Sequence, residues 1–224
     1  MAHARTLTGR VVLVTGEGDL AAALATGLLA HGAVVALAGP DAGEIRGAAP
    51  PESRLLALPP APDGPAGPAR AVDTVVGRLG RLDHLVNLVA ARPGAGPLME
   101  LDPLALQGVL HRDLVTPLAC TQRAYRRWMA AHGGSVVNVV AETAGSGPRN
   151  IALGGLTELT EWLAAELAPL VQVHTLMPSP SLGTAAYHEG AARVLCDLLT
   201  LRTDPADGPV LVLSEEPACP SMAA

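Results

Sequence analysis

The chain is 224 residues long, 49% apolar and 16% charged, with a formal net charge of −6. These values exclude a disordered chain and suit one domain with a sizeable core. The acidic balance excludes the basic stripe that a phosphate backbone demands, and no apolar run reaches the ~20 residues of a membrane span, so neither nucleic acid nor a membrane is an expected partner.

In chain order, Arg10–Thr15 is a short β-branched run ending at Gly16, which predicts a buried strand. Leu20–His31 is rich in Ala and Leu and closes at Gly32, the pattern of a helix with a glycine stop. Val34–Leu37 is a second strand, and Leu55–Leu58 a third, set in a proline-dense loop region over 47–68. Ala69–Leu79 reads as a helix and His84–Leu88 as a fourth strand. Leu101–Met129 is a long, interrupted helical stretch, after which Gly133-Gly134 leads into a fifth strand, Ser135–Val140. Ile151–Leu167 carries Leu153, Leu156, Leu159, Leu163 and Leu167 at helical spacing. A sixth strand, Val171–Leu176, a helix, Tyr187–Leu199, and a last strand, Pro209–Leu213, complete the series.

Buried strands alternating with amphipathic helices predict one α/β domain over residues 1–214. Its expected form is a Rossmann-like, doubly wound parallel sheet of about seven strands with helices on both faces. Residues 215–224 read as a loose tail. Cys120, Cys196 and Cys219 are too scattered for a disulfide framework or a metal site, and Met1–Arg10 has no apolar leader, so a cytoplasmic protein with free thiols and no metal is the expectation.

Five blocks, in order, resemble the short-chain dehydrogenase/reductase family. Val14-Thr-Gly-Glu-Gly18 is similar to its Thr-Gly-x-x-x-Gly-x-Gly loop, and Leu79–Asn87 to the approach to its Asn-Asn-Ala-Gly strand. Gly133–Asn138 resembles the strand before the family's catalytic serine, Leu159–Pro169 its active-site helix, and Val173–Pro178 its sixth strand. The resemblance implies a doubly wound sheet, an NAD(P) cofactor and an Asn-Ser-Tyr-Lys tetrad.

The chain departs from that pattern where the chemistry would be. It holds no lysine, all fifteen basic side chains being arginine. The tetrad's Asn aligns with Asp113, its Ser with Ala141 or Glu142, its Tyr with Arg149 and its Lys with Leu153. In the phosphate loop Gly16 and Gly18 remain, but the loop is one residue short and Asp19 stands near the later glycines. An aspartate is a preferred N-cap, and a capping carboxylate would take the place of a pyrophosphate. Gly39-Pro40 follow the second strand, where the family often has an acid or an arginine for the ribose, and of Asn-Asn-Ala-Gly only Asn87 persists. The cofactor-site positions by resemblance are thus Gly16, Gly18, Asp19 and Asn87, with no dinucleotide expected and NAD(P) kept as the alternative.

For replacement chemistry, Glu142 beside Arg149 suits a carboxylate base oriented by a fixed cation, with Asp113 and Tyr187 at the same cleft mouth as further candidates. The competing account of Glu142 and Arg149 is a structural ion pair tying down a short loop, and of Tyr187 an ordinary first helical turn. Trp162 fits either core packing or a subunit contact. Three functions stay open: a repurposed enzyme doing dehydration, isomerisation or cyclisation on a small substrate; a non-catalytic partner of an active family member; and an atypical NAD(P)H oxidoreductase. The expected assembly is a homo-oligomer, or a hetero-oligomer with a related chain, through helices 101–129 and 151–167.

Overall fold

The computed structural model of the chain describes residues 7–50, 53–58, 66–89, 98–141, 147–179, 184–200 and 208–213. Seven strands form one parallel sheet, β1 (Val11–Thr15), β2 (Val34–Ala38), β3 (Leu55–Leu58), β4 (His84–Val89), β5 (Gly134–Val140), β6 (Val171–Pro178) and β7 (Val210–Leu213). Their order across the sheet is β3-β2-β1-β4-β5-β6-β7. This is the doubly wound order, with the reversal between β1 and β4.

The helices between the strands are α1 (Gly18–Ala30), α2 (Ala42–Ala48), α3 (Ala66–Leu79), α7 (Gly147–Leu167) and α8 (Thr184–Thr200). The stretch expected to be an interrupted helix is one, made of α4 (Pro103–Leu110), α5 (Thr116–Ala124) and α6 (Ala130–His132) joined by π turns over His111–Val115 and Tyr125–Met129. Asp102 caps its start by accepting from the Leu104 amide at 2.9 Å, with Pro103 in the first turn where its missing N–H costs nothing. Helix α2 was not foreseen, because Gly43 and Gly47 leave a single large apolar residue, Ile45, and no periodicity to read.

Each inner strand is apolar on both sides, as parallel strands covered by helices must be. Val12, Val14, Val86 and Val137 point to one face and pack under α1 and α8, including Leu24, Leu28 and Leu195. Val11, Leu13, Leu85 and Val136 point to the other, under Val72 and Val75 of α3 and Cys120 and Ala124 of α5. With no phenylalanine in the chain, this core of Leu, Val and Ala depends on close approach of backbones. At Gly27 of α1, for example, a Cβ would stand 3.1 Å from the Ala192 Cβ of α8.

A polar rung crosses the sheet near its carboxyl edge, where Thr15, Asn87, Asn138 and Thr175 lie side by side in register. Asn87 donates to Asn138 at 3.0 Å, and Asn138 donates to Thr160 of α7 and to Thr175 at 3.3 and 3.4 Å. Left unpaired at such depth, each of these groups would cost about 1–3 kcal/mol, so the rung ties four strands to α7 in one register.

Candidate functional site

The carboxyl edge of the sheet is where this fold binds ligands. There β1 turns into α1 through Gly16, whose φ is +135° and whose amide donates to the Ala38 carbonyl at 2.9 Å. A Cβ on Gly16 would lie 2.6 Å from the Leu88 Cβ, so only glycine fits. The shortened loop starts α1 at Gly18 and leaves Asp19 exposed in the first turn, not at the cap. Asp19 is therefore not the carboxylate that meets the first amide of this helix. That carboxylate is Asp41, 23 residues further on, whose Oδ2 accepts from the Gly18 amide at 2.7 Å. Asp41 is the N-cap residue of α2 but makes no side-chain cap bond there; its carboxylate faces α1 instead. Oδ1 is buried without a hydrogen-bond partner among the described residues.

Gly39 underlies this arrangement. A Cβ built at Gly39 would collide with the Gly16 carbonyl oxygen, and would come within 3.4 Å of Asp41 Oδ1. The position where the family often carries a ribose-binding acid can hold no side chain in this backbone. A cavity of about 890 Å³ runs beside Gly18, Asp19 and Asp41 down the groove between α1 and α2, along small residues such as Ala22, Ala25 and Ala48.

Asn87 does not face this cavity; its side chain is spent within the polar rung. The other candidates are scattered. Asp113 is 1% exposed in the π turn and receives Arg112 Nε at 2.8 Å and Nη2 at 3.4 Å. Asp113 is buried within the π turn with Arg112 bonded to it, and it lines neither the groove beside Gly18 nor the cavity beside His84. Arg149 is 4% exposed at the head of α7, which begins four residues before the stretch predicted from its leucines. Asn150 beside it is exposed. Glu142 lies outside the described residues, as do residues 180–183 of the shortened stretch after β6 and the tail over 215–224.

Tyr187 does not overhang a cleft. It is 1% exposed, and its hydroxyl donates to the Val140 carbonyl at 2.6 Å and lies 3.4 Å from that of Leu176. Burial raises its pKa far above the ordinary tyrosine value, which suits a structural clamp from α8 to the ends of β5 and β6 and not an acid at neutral pH. The helix start at Thr184 places Tyr187 one turn in, on the inward face. Trp162 is 69% exposed and donates to Glu158 at 2.9 Å, which excludes the core-packing account. Arg123 and Arg127 both reach Asp73 of α3, at 2.7 and 3.1 Å, so this cationic face is an inter-helix tie.

These residues depart from the family's dinucleotide pattern at three places. The Gly18 amide already meets Asp41, Gly39 offers no side chain to a ribose, and Asn87 is engaged inside the sheet. Among the described residues no cluster of three or more His, Cys, Asp or Glu is arranged to hold a metal, and no helix is long and apolar enough to cross a membrane.

Sheet order, loop and helix pairing define a Rossmann-type α/β protein. The sequence profile described as short chain dehydrogenase matches residues 10–192, and the chain belongs to that family. Among solved structures it is similar to a short chain dehydrogenase from Mycobacterium smegmatis, 26% identical over 97% of both chains with a TM-score of 0.80. It is also similar to a short-chain dehydrogenase/reductase from Serratia marcescens, 23% identical over 92% of this chain and 97% of the other, TM-score 0.76. A citronellol catabolism dehydrogenase from Pseudomonas aeruginosa is 21% identical over 95% and 96%, TM-score 0.76. The last two likenesses are of fold alone. No curated protein matches the chain.

Proposed function

We propose that this chain is a family member that has given up hydride transfer and works as a non-catalytic subunit, joined through α4 and α7 to a second chain of the same family. The observation that carries this reading is the Asp41 carboxylate on the Gly18 amide. A helix N-terminus attracts one anion, and a second brought to the same amide meets both a used donor and a like charge. The missing lysine and the leucine at its position leave no cation to lower a tyrosine pKa, and the tyrosine position is itself Arg149. The pairing half is supported by apolar side chains left exposed on the α4–α7 side, Leu104 at 71%, Val115 at 40%, Ile151 at 48% and Trp162 at 69%. The test is calorimetry with NADH and NADPH, followed by purification from the host with any retained chain identified. No binding at millimolar cofactor, with a related chain retained and then lost in Leu104→Asp/Trp162→Asp, is the expected result. Tight binding of either cofactor, or a strictly homomeric protein, overturns it.

One observation favours a second reading, cofactor-free acid–base chemistry on a small organic substrate. Arg149 is a cation held 4% exposed at the end of the sheet where ligands bind in this fold, and a guanidinium fixed there can orient a carboxylate. In this reading Glu142 is the base that Arg149 orients, while Asp113 and Tyr187, being bound to Arg112 and to Val140, take no part. Turnover of a candidate substrate without cofactor, abolished in Glu142→Gln and Arg149→Ala, is its signature; turnover unchanged in both variants removes it.

A further inference from the structure

The amino edge of the sheet, opposite the site above, holds a second cavity of about 400 Å³. On its floor three neighbouring strands present His84, Ser135 and Gln172 in register, a rung of uncharged polar side chains facing α8. Thr200, at the end of α8, forms part of the wall, with Arg10 and Asp83 at the side. His84 is 8% exposed, and its Nδ1 is buried with no hydrogen-bond partner among the described residues. Burial pushes its pKa down to about 4, the Asp83 carboxylate pulling the other way, so the ring is neutral at pH 7.

The charged groups here are already matched. Asp83 accepts from Arg10 at 2.9 Å, from Arg81 at 2.6 and 2.8 Å, and from the Val11 amide at 2.8 Å. A charged ligand would have to break that set to find a counter-ion. An apolar ligand would desolvate the Ser135 and Gln172 side chains without satisfying them. Ser135 and Gln172 can each donate and accept, while Thr200, whose hydroxyl donates to the Cys196 carbonyl at 2.9 Å, can only accept. The volume lies at the lower end of the range for small-molecule sites.

We propose that this cavity binds a small uncharged polyhydroxylated molecule of sugar-like size, its hydroxyls lying along the His84–Ser135–Gln172 rung. The experiment is NMR of histidine-labelled protein titrated with D-ribose, D-glucose and myo-inositol, alongside ribose 5-phosphate, glucuronate and cyclohexanol. The expected result is that at least one neutral polyol shifts the His84 ring signals saturably at millimolar concentration. Ser135→Ala and Gln172→Leu should each weaken that binding at least about fivefold, since each leaves a hydroxyl unpaired. Three results overturn the proposal: no polyol moves His84; the charged probes or cyclohexanol bind as well as the polyols; or neither variant changes the affinity while both remain folded. None of these bears on cofactor binding at the carboxyl edge, so the two readings fail independently.

Discussion

The two edges of the sheet treat their polar groups in opposite ways. At the carboxyl edge, groups that a ligand would normally satisfy are satisfied by the chain itself: Asp41 on Gly18, Tyr187 on Val140, Asn87 on Asn138. At the amino edge the ion pairs are closed, but a neutral rung of His84, Ser135 and Gln172 lines a cavity. At the edge that serves chemistry in this fold the first amide of α1 is already taken, and the opposite edge keeps a polar cavity. Family membership therefore fixes the scaffold of this protein without fixing which end of it is used.

The largest expected effect tests the clamp at the carboxyl edge. Tyr187→Ala removes a fully buried ring and the bond to Val140, and should lower stability by about 3–5 kcal/mol in denaturant unfolding. Tyr187→Phe keeps the ring and should cost only about 1 kcal/mol; catalytic loss without such a stability loss would mean that the hydroxyl has a chemical role after all.

The amino edge should dominate the acid response. His84 has a folded pKa of about 4, below its unfolded value of 6.5. Below pH 6.5 the unfolded chain takes a proton that the folded one refuses, so stability is complete above that pH and is lost as pH falls toward 4. Between pH 7 and pH 5 the loss from His84 alone should be about 2 kcal/mol. His174, also lowered by burial, adds in the same direction. The Asp83 pKa is lowered by Arg81, the Val11 amide and Arg10, against an opposing effect of burial, so its contribution is lost only below the ordinary carboxylate range. Unfolding midpoints measured at pH 7 and pH 5 check this, and His84→Gln should flatten the difference.

The smallest stability effect carries the most information about cofactor. Asp41→Ala removes a carboxylate from a helix end and should cost about 1 kcal/mol. It also frees the Gly18 amide. If Asp41 fills the phosphate position, the variant should bind ADP or pyrophosphate more tightly than the parent chain. If Asp41 instead serves a bound ribose, binding should weaken. The sign of the change, read by calorimetry, separates the two.

Seven strands were legible because parallel inner strands must be apolar throughout, and Val11–Thr15 or Val136–Val140 allow no other reading. The absence of lysine was legible too, being read directly from the residues. Asp41 had a faint signal, as the first acid after β2, but its target lies 23 residues away across a turn and local pattern favoured Asp19. Tyr187 was misjudged because a one-turn shift in the start of α8 decides whether a side chain faces solvent or core.

Composition, strand pattern and motif order were enough for the fold and the family, because these depend on residue type and spacing along the chain. Which carboxylate meets the Gly18 amide, that Asn87 and Asn138 spend their side chains on each other, and that His84, Ser135 and Gln172 share one cavity were decided only by tertiary structure. Strand register and helix packing bring together groups 23 to 51 residues apart, and neither is written in any local window of sequence.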